Sequence, residues 1–207
     1  CYSEGLESFF DSKNIKEPEY VKNIIISELK IGQIKLDAKL LLEFFKTFKE
    51  IHNAKNLESN FKKLLSLDKW ILATKDSIEI REQQTQMSKS LFDLTKEFGF
   101  EYPYEKNKKS SWPLAWTWAC FCFEIAELEM IENFLYAWSA NQLSAALRLI
   151  PIGSTKSQLI QRDLLPIISK VSREIMDKKI NDIYFGNVGL AMAQQNHNEL
   201  YTKLFRN

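Results

Sequence analysis

The sequence predicts an all-α protein, a single-domain helical bundle over residues 1–207 with a central hydrophobic helix, and three observations carry that prediction. Apolar residues recur every three or four positions along much of the chain, the period of one helix face. Six Gly and five Pro are too few for the many tight turns of an all-β protein, whereas the abundant Leu, Lys, Glu, Ile and Phe suit long amphipathic helices. No period-2 run bounded by hairpin turns, no internal repeat and no low-complexity tract occurs.

Tyr2 to Phe10 reads as a packed segment. Leu36, Leu40, Phe44, Phe48 and Ile51 then share a face, predicting an amphipathic helix of about four turns with Lys35, Lys39, Lys46 and Lys49 mostly off that face. Leu57, Phe61, Leu64, Leu65, Ile71 and Leu72 repeat the pattern, and Ile80, Met87, Leu91, Leu94 and Phe98 repeat it again until Gly99 and Pro103 stop the helix. Short connectors between successive helices suggest a bundle. Glu105 to Ser111, the most polar stretch, reads as a surface loop. Trp112 to Ile125 is apolar nearly all round, which places it at the centre of the fold. Leu128, Ile131, Leu135, Trp138, Ala145 and Leu149 form one stripe ending at Pro151, so 127–149 should be one long helix. A further helix runs from about Thr155 and stops before Pro166, and the tail is helical at its start near Val188 and Ala191.

With 28 Lys and Arg against 27 Asp and Glu, the formal net charge is +1, which argues against a dedicated nucleic-acid binder. A composition 45% hydrophobic and 13% aromatic excludes disorder, and a chain this size buries roughly 70% of its unfolded surface. The longest apolar run, Pro113 to Phe123, falls well short of the ~20 residues that span a bilayer, so no transmembrane helix is expected. Three cysteines, at 1, 120 and 122, cannot make a disulfide framework, and no Asn-x-Ser/Thr site occurs; both point to a reducing, cytoplasmic setting. A first residue of Cys fits a fragment better than a lipoprotein, because no polar linker follows it.

Catalytic and metal chemistry has little material. The two histidines, His52 and His197, do not furnish a triad or a multi-His metal site. Cys120 and Cys122 point about 200° apart on a helix, so they cannot share a metal ion and read as buried apolar thiols. No phosphate-binding glycine loop exists; Gly186 and Gly189 are the closest pair of glycines. Glu79, Arg81 and Glu82 read as solvated ion pairs. The unusual feature is polar Asn141, Gln142 and Arg148 within an apolar helix, with Asn141 and Arg148 seven apart on one face. A buried arginine is costly unless paired, so Arg148 either meets a carboxylate inside the fold or emerges at a protein interface. Ser139, Ala140, Ser144, Ala145 and Ala146 also permit a close helix contact.

Four blocks, in order along the chain, resemble the urease accessory protein F family (UreF). They are Tyr2-Ser3-Glu4-Gly5-Leu6-Glu7, then Glu79-Ile80-Arg81-Glu82-Gln83-Gln84 with Met87, then Tyr136 through Gly153, and His197 through Asn207. Three departures stand out. The family pattern continues upstream of the first block, so this chain begins inside the motif; Asn198 stands where the family usually has Glu; and Asn207 replaces a terminal Ser.

The resemblance implies a cytoplasmic, non-enzymatic scaffold for inserting nickel into apo-urease. It binds the accessory protein UreD (also called UreH), recruits the GTPase UreG, docks on urease and forms a homodimer within the complex. No cofactor is bound directly, nickel being handled by the complex, and no nucleic acid or membrane partner is implied. Carried over by motif, Glu7 and Arg148 face the GTPase, with Tyr2 beside Glu7 and Asn141 on the face of Arg148; His197, Tyr201, Leu204, Phe205 and Arg206 engage UreD. Two rivals are a helical adaptor with a partner outside urease maturation and a small helical enzyme with a carboxylate site.

Overall fold

The computed structural model describes residues 17–53, 56–75, 77–103 and 109–179, which form seven helices and no strand. They are α1 (Pro18–Ile31), α2 (Gln33–His52), α3 (Leu57–Ala73), α4 (Ile78–Glu97), α5 (Trp112–Cys122), α6 (Glu127–Leu149) and α7 (Ser154–Asp177). The protein is thus all-α, as its periodicity predicts. The chain divides into two compact units, one holding the described residues up to Leu36 and from Glu132 onward, the other Asp37–Ile131. The expected packed segment Tyr2–Phe10 and the expected helical start of the tail lie outside the described residues.

In the first unit, α1 begins with Pro18 in its first turn, where a missing N–H costs nothing, and buries Val21, Ile25 and Leu29 on one face. It ends at Gly32, whose N–H donates to the Glu28 carbonyl at 2.8 Å. A Cβ there would lie 2.6 Å from Glu28 Cα, so the backbone approach itself demands glycine. Helix α1 packs along α7, running in the same direction, and Lys22 Nζ meets Asp163 Oδ2 at 3.1 Å. Helix α7 corrects one expectation: it continues through Pro166 to Asp177. Beyond the proline, Ile168, Val171 and Ile175 are buried. At about 1.5–3 kcal/mol each, they outweigh the roughly 3 kcal/mol that an internal proline costs.

In the second unit, the expected stripe Leu36, Leu40, Phe44 and Phe48 of α2 is buried, Leu36 standing at its edge in the first unit. Two of the lysines expected off that face are not at the surface, however. Lys35, in the first unit, donates to the Lys30 carbonyl at 3.0 Å and to Glu174 at 3.3 Å; Lys39, in the second, is 6% exposed, and burial lowers its pKa. Helix α4 packs on α3 and on α5. Helices α4 and α5 run in the same direction: Gln84 meets the start of α5, and the Phe98 and Phe123 rings meet at the far ends. Helix α5 is shorter than its apolar run predicts, ending at Cys122. Its Trp118 and Phe121 rings lie 5.3 and 5.7 Å from that of Phe48.

Candidate functional site

The third resemblance block forms the last half of α6 and the turn that follows. One face of this segment is closed: Ser139, Gln142, Leu143, Ala145 and Ala146 are all buried, and Ser139 Oγ donates to the Leu135 carbonyl at 2.8 Å. Gln161 of α7 donates from Nε2 to the Tyr136 carbonyl at 3.4 Å. After Leu149 the chain turns through buried Ile150 and Ile152, with Ile152 N–H donating to the Ile150 carbonyl at 2.7 Å. Ser157 N–H then donates to the Gly153 carbonyl at 3.1 Å and starts α7.

The opposite face is open. Ala137, Asn141, Ser144 and Arg148 follow one another at helical spacing, Asn141 and Ser144 half-buried, Ala137 and Arg148 exposed. Arg148 is exposed at the surface. It sits in the last turn, where a cation suits the negative end of the helix dipole. Leu147 beside it and Tyr136 are also exposed, at 37% and 41%. The open face thus carries small side chains, the exposed apolar atoms of Tyr136 and Leu147, and one guanidinium. Tyr2, Glu7, His197, Tyr201, Leu204, Phe205 and Arg206 lie outside the described residues.

The second block does a different job. Gln83 and Gln84 of α4 are buried, and Gln84 Oε1 accepts from Trp112 N–H at 3.1 Å. Asp68 of α3 joins it, accepting from Ser111 N–H at 2.8 Å. Together with the Ser111 hydroxyl, which accepts from Leu114 N–H at 3.4 Å, these groups satisfy the start of α5. Burial raises the Asp68 pKa, and hydrogen bonds from Ser111 and Ser110 oppose the rise. Sequence reasoning passed over Asp68. Its signal was a carboxylate at the buried phase of α3, between Leu64 and Ile71.

Acid–base and metal chemistry find little here. Burial pushes the Cys120 and Cys122 thiols up to about 12 and about 11, so neither is a ready thiolate. His52 is exposed, its ring 5.9 Å from Phe121. Among the described residues, no three His, Cys, Asp or Glu side chains are grouped to hold a metal ion, and no helix is long and apolar enough to cross a membrane.

Comparison with known proteins agrees with the block pattern. The family described as UreF matches residues 15–165. The urease accessory protein UreF of Prochlorococcus marinus strain MIT 9312 is 78% identical over 207 residues, covering 100% of this chain and 91% of that protein. The one from strain MIT 9215 is 75% identical over the same coverage. A more distant urease accessory protein UreF, from Microcystis aeruginosa strain NIES-843, is 28% identical, covering 99% of this chain and 89% of its own length. Matched along most of its length by the family pattern and along all of it by close relatives, the chain belongs to the UreF family of urease accessory proteins.

Proposed function

We propose that this chain supports urease maturation as a non-enzymatic scaffold in the cytoplasm, bridging the UreD/UreH accessory protein and the UreG GTPase so that GTP-dependent nickel delivery is coupled to docking on apo-urease. The observation that carries the reading is the open face of α6, where Arg148 is exposed in the last turn of a helix whose other face is packed. A scaffold works by differential contacts: it favours the partner state whose surface complements its own, and an exposed guanidinium can select a carboxylate-bearing conformation. In this reading Asn141 borders the GTPase contact, Glu7 and Tyr2 complete it, and the tail from His197 to Arg206 holds UreD. The 207 residues act as one domain, with homodimers forming in the assembled complex.

The test is a pull-down with the cognate UreD-type protein and UreG-type GTPase in the presence of GTP and nickel. Wild type should retain both partners. Arg148→Ala should weaken GTPase retention about tenfold or more, as loss of an interface arginine does, with helical circular dichroism unchanged. Unchanged GTPase affinity would remove Arg148 from the interface. If a folded wild-type protein retained neither partner, an adaptor role outside urease maturation would take its place.

A further inference from the structure

A second surface lies in the unit formed by Asp37–Ile131, where α4 and α5 end side by side. Both helices finish in the same way. Phe100 N–H reaches back to the Thr95 carbonyl at 3.0 Å and Gly99 N–H to Lys96 at 2.9 Å. At the end of α5, Ile125 N–H reaches Cys120 at 2.9 Å and Glu124 N–H reaches Phe121 at 3.2 Å. Each motif needs one left-handed residue, Gly99 at φ 90° in the first and Glu124 at φ 55° in the second. These reversals gather three rings: Phe123 lies edge-on to Phe98 at 5.7 Å and to Phe100 at 5.3 Å. Yet the cluster is not a core. Phe98 is 61% exposed, Leu94 one turn before it 51% and Phe123 48%.

Each ring has an exposed glutamate next to it in sequence: Glu97 before Phe98, Glu101 after Phe100 and Glu124 after Phe123. Lys96 meets Glu101 at 3.6 Å, while Glu97 and Glu124 have no ion pair among the described residues. Glu124 also occupies a backbone position that glycine fills more cheaply. The exposed rings thus have three glutamates beside them in sequence against one lysine, Lys96, an acidic bias on a chain with a net charge of only +1. An anionic lipid surface would be repelled by it, and two copies packed patch to patch would set glutamate against glutamate.

We propose that the Leu94–Phe98–Phe123 surface binds a protein partner through an apolar side chain flanked by lysine or arginine, the rings burying the apolar group and Glu97 and Glu124 pairing with the flanking cations. This surface is independent of the α6 face, and its test does not require the scaffold reading to hold.

Two fluorescein-labelled peptides serve as probes against the 207-residue chain, with identical Leu and Phe spacing but flanked by lysines in one and glutamates in the other. The lysine peptide should bind about tenfold tighter or better at low salt, with the preference shrinking as salt rises. Phe98→Ser with Phe123→Ser should abolish binding, and Glu97→Lys with Glu124→Lys should reverse the preference. All four positions are exposed, so circular dichroism should stay unchanged. Arg148→Ala should bind the peptide as wild type does. Equal binding of both peptides, or a preference that survives charge reversal, would overturn the proposal. So would self-association that Phe98→Ser removes, which would give the surface to a second copy of the chain.

Discussion

Asp37 and Lys75 show how a single residue's role depends on a partner that periodicity cannot reveal. Lys75 Nζ lies 2.6 Å from both oxygens of Asp37, and the two side chains are 5% and 4% exposed, Asp37 first. Removing one member of such a pair leaves a buried charge, so Lys75→Met should cost about 3–5 kcal/mol, whereas Asp37→Leu combined with Lys75→Met should cost far less. Urea denaturation of both variants checks this, and equal losses would mean that Asp37 left without Lys75 carries no penalty. Asp68 makes a second residue-scale prediction. Burial raises its folded pKa above the ordinary carboxylate value, so the native state holds its proton more tightly than the unfolded chain. That contribution is fully present below the unfolded pKa and is lost as pH rises through the folded one. Asp68→Asn should therefore flatten the fall in stability across that window, and at neutral pH, with its carbonyl still accepting from Ser111, it should be no less stable than wild type. An unchanged pH profile would show that Asp68 does not titrate in the native range. Lys35 and Lys39 teach the same lesson from the other side. A helical period assigns them to a face, but the Glu174 that holds Lys35 comes from a segment distant in sequence, and no local pattern announces it.

At the scale of elements, the pattern was most legible where one apolar stripe ran unbroken between clear stops. Helix α6 spans Glu127–Leu149, matching its stripe up to Pro151; α3 and α4 also span the segments their stripes predict, but Leu57, Leu94 and Phe98 of those stripes are exposed, and α4 buries Gln83, Gln84, Ser88 and Thr95 instead. Helix α1 went unread, although Pro18 followed by Val21, Ile25 and Leu29 at spacings of four is a sound helix signal. By local pattern α7 ends before Pro166, because proline is a local stop, but the packing of Ile168, Val171 and Ile175 beyond it decides the outcome. Pro166 is exposed and inside the helix, so Pro166→Ala restores a backbone donor without disturbing the buried face. The gain of roughly 3 kcal/mol in helix propensity is partly offset by about 0.4–1 kcal/mol of added freedom in the unfolded chain. The urea midpoint should rise by the equivalent of about 1–3 kcal/mol with an unchanged slope. A loss of stability instead would mean that the packing of α7 requires the local geometry the proline imposes.

For the molecule as a whole, function was legible through the order of four blocks and not through the physics of any one of them. Composition and spacing could exclude chemistries, but an exposed arginine on a small-residue face reads as a generic contact until the blocks are taken together. The proposed division of labour, with Arg148 serving the GTPase and the tail serving UreD, makes a crossed prediction that neither surface makes alone. In this proposal Tyr201, Leu204 and Phe205 are apolar anchors and Arg206 a charged one, and the few hot-spot residues of an interface cost about 2 kcal/mol or more each when removed. Deleting Leu204 to Asn207 should therefore abolish co-purification with UreD, whereas Arg148→Ala should leave UreD bound and release only the GTPase. Helical circular dichroism of both variants should match wild type, which separates a lost interface from a lost fold. UreD retained by the deletion variant would sink the assignment of the tail. Loss of both partners on Arg148→Ala would instead merge the two proposed surfaces into one, because a substitution confined to an exposed position on α6 can reach UreD only if UreD also touches that face.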